Sequence, residues 1–271
     1  MNHLLRDIAP VSAAGWQLLD AEARERLQGP LAARRLVDFV GPLGWEHSAT
    51  NLGRVEPRDV SELKGIEANR RVVLALIELR SRFTVSREEL RAGDRGAEDV
   101  DFDSLDDAAQ RLVDAENTAV FHAWPKAGIE GITASSPHKP IARGKSFEDY
   151  TGCVARAVEL LLRNGIEGPY GLALGREDYT SVVETAEHGG YPLLDHIRNV
   201  IKGPIVWAPG VKGAVVLSMR GGDFVLDCGQ DISVGYESHD AQAVSLYLEE
   251  SFSFRALTPE AAVAIIAPKG R

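Results

Sequence analysis

Between Ser12 and Gln28 the apolar residues Trp16, Leu19, Ala23 and Leu27 recur at helical spacing, and Asp20, Glu22, Arg24 and Glu25 fall on the other side. That pattern predicts an amphipathic amino-terminal helix, which either packs on its own domain or offers a surface to another chain, packing being the commoner use of such a face. From Arg35 to Val40 a short apolar run predicts a strand. Gly41-Pro42-Leu43-Gly44 then predicts a change of direction, because proline fixes one dihedral and glycine tolerates unusual ones. A polar stretch from Asn51 to Asn69 is followed by a second arm, Arg71 to Val85, whose Val, Leu and Ile are interrupted by Glu78, Arg80 and Arg82. Neither arm reads as a buried central strand, so the pair predicts a long hairpin projecting from a body and needing a partner.

Ser104 with Asp107 resembles a capping-box variant opening a helix that runs to about Lys126. Its stripe is Leu105, Ala109, Leu112, Glu116, Ala119, Val120 and Ala123, and the carboxylate within that stripe requires a polar partner. Ser146-Phe147-Glu148-Asp149 repeats the cap pattern before a helix with Phe147, Tyr150, Val154, Val158 and Leu161 on one side, closed by Asn164-Gly165. A strand from Pro169 to Leu174, a helix from Glu177 to Ala186, the loop His188 to Pro192, a helix from Leu193 to Lys202 and strands at Ile205–Ala208 and Ala214–Met219 complete a compact α/β unit. In the tail, Val244, Leu246, Leu248, Phe252 and Phe254 alternate with Ser245, Tyr247, Glu249, Ser251 and Ser253, which predicts a long half-buried strand. The first and last parts of the chain are expected to share one domain, with the middle unit inserted between them.

At 271 residues, 44% hydrophobic and 26% charged, the chain has material for a sizeable core. Its net charge of -10 supplies no positive field for a phosphate backbone, so nucleic acid is not an expected partner. Cys153 and Cys228 form neither a zinc spacing nor a disulfide framework, which suits a reducing cytoplasm. The start, Met1 to Ile8, lacks the pattern of a secretory signal, and no stretch approaches the roughly 20 apolar residues of a membrane span.

Catalytic signatures are missing: there is no phosphate-binding glycine loop, dinucleotide fingerprint, zinc-protease motif or nucleophile elbow. Glu98 to Asp103 has the acidity of a calcium loop, but Ser104 stands where the glycine belongs and Gln110 where the bidentate glutamate belongs. The seven histidines are scattered, and a catalytic thiol at Cys153 or Cys228 needs a distant histidine brought beside it. No catalytic residue, metal or cofactor is expected.

A series of ordered blocks carries a resemblance. Leu5-Arg6-Asp7-Ile8-Ala9-Pro10 precedes a tryptophan helix. Gly41-Pro42-Leu43-Gly44-Trp45-Glu46 follows, and then Phe83-Thr84-Val85 ahead of Arg95-Gly96. Ala115-Glu116 to Phe121, Gly128-Ile129-Glu130-Gly131-Ile132 and Gly165-Ile166-Glu167-Gly168-Pro169-Tyr170 lead to Arg220-Gly221-Gly222-Asp223-Phe224 and Gly229 to Tyr236. Over essentially its whole length the chain resembles the family 1 encapsulin shell proteins, formerly described as linocin-type bacteriocins.

The resemblance implies an α+β, HK97-like phage major-capsid fold: a peripheral domain (1–50, 84–131 with the spine helix, and 222–271), an extended loop (51–83) and an axial domain (132–221). It implies self-assembly into an icosahedral nanocompartment, a closed 60-mer (T=1) in the cytoplasm. The cargo would be a dye-decolourising peroxidase or ferritin-like protein carrying a carboxy-terminal targeting peptide. By position, Ile8, Arg35, Val37, Asp38, Asp231 and Ile232 would bind that peptide, and Glu187, His188, Gly189, Gly190 and Tyr191 would line a five-fold pore. Some relatives resemble flavin binders with a tryptophan just before the counterpart of Glu89-Leu90; Glu88 stands there, so no flavin is expected. An enzyme or secreted antibacterial protein is disfavoured by the missing signal and motifs, and a capsid packaging nucleic acid by the acidic balance.

Overall fold

The computed structural model describes residues 3–60, 62–144, 149–185 and 192–268. A single 3-10 turn at Arg6–Ile8 precedes α1 (Ala13–Gln28), where the Ser12 hydroxyl accepts from the Gly15 amide at 2.8 Å and so satisfies one free N–H of the first turn. Leu19, Ala23 and Leu27 are buried, as the spacing predicts. The strand expected from Arg35 begins later: Arg35 sits in the short helix α2 (Ala33–Leu36), and β1 covers Asp38–Val40. A buried amide from a later helix sets that turn. Asn117 accepts from the Ala33 amide at 3.1 Å and donates to the Pro30 and Pro209 carbonyls at 2.9 and 3.0 Å.

β2 (Ala49–Arg58) and β3 (Ala68–Ala75) form a two-stranded hairpin pairing Ala49 with Ala75 and Arg58 with Ala68. The expected second arm is therefore divided at Leu76. From there β4 (Ile77–Ser86) leaves the hairpin and joins the body, where alternate residues Leu79, Ser81, Phe83 and Val85 are buried. After α3 (Arg87–Asp94), the long helix α4 spans Asp103–Phe121. Its expected capping box does not form, because the Ser104 hydroxyl donates to the Thr84 carbonyl instead and Asp101 receives the Asp103 amide. It also ends before Lys126, because Ala123 turns out of the helix at φ +150 and the Trp124 amide donates to the Ile129 carbonyl at 2.8 Å instead of to the preceding turn.

The remaining elements are α5 (Ile132–Ser135), β5 (Ile141–Ala142), α6 (Tyr150–Arg163), β6 (Tyr170–Leu174), α7 (Arg176–Glu184), α8 (Leu193–Ile201), β7 (Ile205–Trp207), β8 (Ala214–Ser218), β9 (Phe224–Cys228), β10 (Ser233–His239), β11 (Ala243–Ala256) and β12 (Ala262–Ile266). The cap expected at Ser146 to Glu148 lies outside the described residues. α6 closes at Asn164 with Gly165 at φ +72, a left-handed position that glycine takes without strain.

Two sheets organise the molecule. The first runs β1-β9-β11-β10, with β4 also paired to β11, and the second runs β5-β12-β8-β6-β7. β12 comes from the tail, yet it lies in the second sheet, antiparallel to β8 and parallel to β5. β11 is more deeply buried than its half-polar alternation predicts: Tyr247, Glu249, Ser251 and Ser253 are covered as well. Distant segments supply that cover. Ser253 is hydrogen-bonded to Thr50 at 3.0 Å, the Ser251 hydroxyl accepts from the Gln230 amide at 2.9 Å, and the Arg80 guanidinium lies 4.0 Å over the Tyr247 ring.

Candidate functional site

A groove of about 490 Å³ lies between α1 and the start of β10. Leu4, Ala23, Leu27, Leu31 and Leu248 give it an apolar lining, and Arg6, Asp20, Arg24, Arg34 and Asp231 give it charge. The amino-terminal segment is stitched into its wall. The Tyr236 amide donates to the Leu4 carbonyl at 2.9 Å, and Arg6 donates to the Val234 carbonyl at 2.8 Å and to both oxygens of Asp20 at 2.9 and 2.5 Å. The Arg6 guanidinium also lies 4.5 Å over the Trp16 ring. A fork held by a carboxylate, a carbonyl and an aromatic face fixes orientation as well as charge.

Beneath the groove, Arg34 holds three carboxylates: Glu116 at 2.8 Å, Glu250 at 2.7 Å and Asp231 at 2.5 Å. Glu116 and Glu250 are 0% exposed, whereas Asp231 is 49% exposed and faces outward. Glu116 thus finds the partner that its place in the apolar stripe requires. Burial alone works against the Arg34 cation, but Glu116, Glu250 and Asp231 outweigh it and hold the guanidinium above its ordinary range. Burial, and then the neighbouring Glu116 carboxylate, push the Glu250 carboxyl well above the ordinary carboxylate range.

Of the residues expected to bind a peptide, the structure brings Asp231 and Ile232 to the groove. Ile8 is 60% exposed at the end of its 3-10 turn and is not among the groove-lining residues. Arg35 donates to the Gly29 carbonyl at 3.3 Å, Val37 packs half-buried on the core, and Asp38 accepts from the Gly222 amide at 2.6 Å beside a separate small crevice. The groove's lower cation is Arg34, which sequence reasoning passed over for its neighbour. The signal that points to it is the lone carboxylate of Glu116 on an otherwise apolar helix face. Glu187, His188, Gly189, Gly190 and Tyr191 lie outside the described residues.

Nothing in this arrangement resembles a nucleophile with its base. Cys153 and Cys228 are both buried, and burial pushes the Cys228 thiol up to about 12 and raises that of Cys153. Among the described residues no cluster is arranged to hold a metal ion, and no helix is long and apolar enough to cross a membrane. Glu88 pairs with Arg95 at 2.8 Å and with Arg91 at 3.5 Å.

A family model described as an encapsulating protein for peroxidase matches residues 1–253. A type 1 encapsulin shell protein of Rhodospirillum rubrum is 47% identical over 268 residues, covering 97% of this chain and 96% of that protein. The type 1 encapsulin shell protein of Brevibacterium linens is 42% identical over 265 residues, covering 97% and 98%, and that of Mycobacterium tuberculosis is 38% identical over 266 residues, covering 98% and 99%. This chain belongs to the encapsulin family. The encapsulin fold is that of HK97-like capsids. A virus-like particle from Pyrococcus furiosus superposes with a TM-score of 0.61 at 17% identity, covering 92% of this chain and 98% of that one. Mycobacterium phage Bobi gives 0.57 at 13%, covering 89% and 91%. Curated encapsulin relatives are shell proteins by name, which sets this chain among structural subunits and not enzymes. A weaker relative, 23% identical over 190 residues, is a ferritin-like–encapsulin shell fusion protein of Pyrococcus furiosus, in which that chain carries its own ferritin-like part.

Proposed function

We propose that this encapsulin subunit assembles into a closed icosahedral 60-mer in the cytoplasm and loads cargo by binding an extended carboxy-terminal peptide in the groove between α1 and β10. The observation that carries the reading is the groove itself, an open cleft in which apolar side chains stand among charged ones, walled by the start of β10 and by one face of α1. An extended peptide fills such a cleft by placing alternate apolar side chains on Leu27, Leu31 and Ile232 while its charges meet the charged ones. The family description favours a peroxidase, here taken as dye-decolourising, and the fused relative favours a ferritin-like protein as the other cargo class. The acidic balance of the chain disfavours nucleic acid as contents.

Assembly draws on the hairpin. Val55, Leu63, Ile66 and Val73 are about half exposed there, a density of apolar side chains that a second copy would cover. In this reading residues 51–83 supply the extended loop, 132–221 the axial domain and the rest the peripheral domain, with β4 from Ile77 entering the peripheral sheet and β12 crossing back to the axial one. By the family resemblance, Glu187 to Tyr191 would line a pore that admits small solutes.

Negative-stain electron microscopy with size-exclusion chromatography on the chain expressed alone tests assembly: uniform hollow particles are expected, and a stable monomer overturns the reading. Docking is tested by co-expressing a fluorescent reporter fused to the tail of a peroxidase from the same source. Ile232→Asp should abolish loading and Asp38→Ala should not, with Ile8→Asp and Arg35→Ala deciding whether the groove extends past its described lining. Unimpaired loading by Ile232→Asp would remove the dock from this groove.

A further inference from the structure

The cluster under the groove has more acid than one cation can satisfy. Arg34, from α2, takes one oxygen of Glu116 from α4 and one of Glu250 from β11, and Asp231, from the segment before β10, takes its outer edge. Of the other elements around the cluster, β1 contributes the Phe39 ring, 5.1 Å from the guanidinium, β9 contributes the neutral Cys228 thiol, and α1 with the amino-terminal segment brings Arg24 and the mutually paired Arg6 and Asp20 to the same groove. The second oxygens, Glu116 Oε1 and Glu250 Oε1, are buried and receive no hydrogen bond from any described residue. Two fully buried carboxylates on one shared cation, each with an unmet oxygen, are a costly arrangement unless a proton joins them.

We propose that Glu116 and Glu250 share one proton in the core, and that this proton is a pH-sensed lock which keeps Arg34 on Asp231 and so holds the Asp231–Val234 wall of the groove. Loss of the proton to a base in solution leaves two buried anions on Arg34 and weakens its hold on Asp231. Burial raises the folded-state pKa of Glu250 above its unfolded value, which sets the sign. The stabilisation is complete at acid pH, below the ordinary carboxylate range, and is lost as pH rises through the raised value. The wall therefore loosens toward alkaline pH and not toward acid. The consequence for a bound peptide rests on the docking reading; the lock itself does not.

The test uses empty assembled particles, so its failure and that of the docking reading are distinguishable. Hydrogen exchange of residues 229–235, corrected for the intrinsic base-catalysed rate, is followed from about pH 6 to about pH 9. One linked proton loosens the wall by up to about tenfold per pH unit as pH climbs from the ordinary carboxylate range to the raised pKa, and the profile levels off above it. Glu250→Gln and Glu116→Gln each keep an N–H donor between the two side chains and an acceptor for Arg34 at every pH, so the profile should become flat in either. A flat wild-type profile, or the wild-type slope retained in both variants, overturns the proposal. Infrared spectra of the wild type provide a check that needs no variant: a protonated-carboxyl C=O band is expected at neutral pH, fading over the same range, and its absence overturns the proposal equally.

Discussion

Replacing Arg34 with methionine keeps the length of the side chain and removes the one cation shared by Glu116, Glu250 and Asp231. The Arg34 side chain is 15% exposed and the two glutamates 0%, so the relevant scale is that of a buried ion pair and not of a surface salt bridge. Removing one partner of a buried pair costs about 3–5 kcal/mol, because the other charge is left in the interior without compensation. At about 2–4 °C per kcal/mol for a chain of this size, Arg34→Met should lower the melting temperature by about 6–20 °C. Differential scanning calorimetry of assembled particles, at one scan rate because dissociation is kinetic, reads the effect. The loss should grow with pH, since Glu250 gives up its proton as pH rises. Adding Glu116→Gln and Glu250→Gln to Arg34→Met removes every buried charge of this cluster and should recover most of the loss. A melting temperature for Arg34→Met within about 2 °C of wild type, or no recovery in the triple variant, would refute the account of this cluster.

Val55→Asp with Val73→Asp should leave the circular dichroism spectrum unchanged while abolishing particles on size exclusion, because both side chains lie on the exposed hairpin and outside the core. Gly235→Ala should cost about 1–3 kcal/mol in the same melting assay, since a methyl group there would run into the Tyr247 ring, which lies across the glycine from β11 and carries the Arg80 guanidinium on it. Maleimide should label neither Cys153 nor Cys228 in native particles at neutral pH and both after denaturation, as mass spectrometry would show; rapid native labelling of Cys228 would contradict a buried thiol pushed up to about 12.

Local periodicity carries the elements whose burial is decided by their immediate neighbours. The face of α1, the paired helices α7 and α8 and the strands β6 to β8 fall within a residue or two of where spacing puts them. Failures occur where a distant residue decides. The phase of α2, and with it the choice of Arg34 over Arg35 beneath the groove, is set by Asn117, more than eighty positions away. β3 and β4 read as one arm because the apolar content runs on through Leu76; only the pairing of β4 with β11 divides them. The second face of β11 looks solvent-exposed because its cover comes from Thr50 and Arg80. Of the residues named through the family resemblance, Asp231 and Ile232 line the groove, whereas Ile8, Arg35, Val37 and Asp38 are not among its lining residues.

The place of β12 has a consequence for how the polypeptide is made. Ile265 pairs with Ile141 on one side and Ala214 on the other, so a strand that follows the other described elements in chain order sits inside the second sheet instead of at its edge. Until it emerges, β8 presents an open apolar edge and β5 has nothing to pair with, and closing those loops carries the entropic cost of long sequence separation. The second sheet cannot be completed during synthesis ahead of the first. A nascent chain that stops short of β12 therefore holds an unfinished second sheet, and closing that sheet waits on the synthesis of residues 262–266.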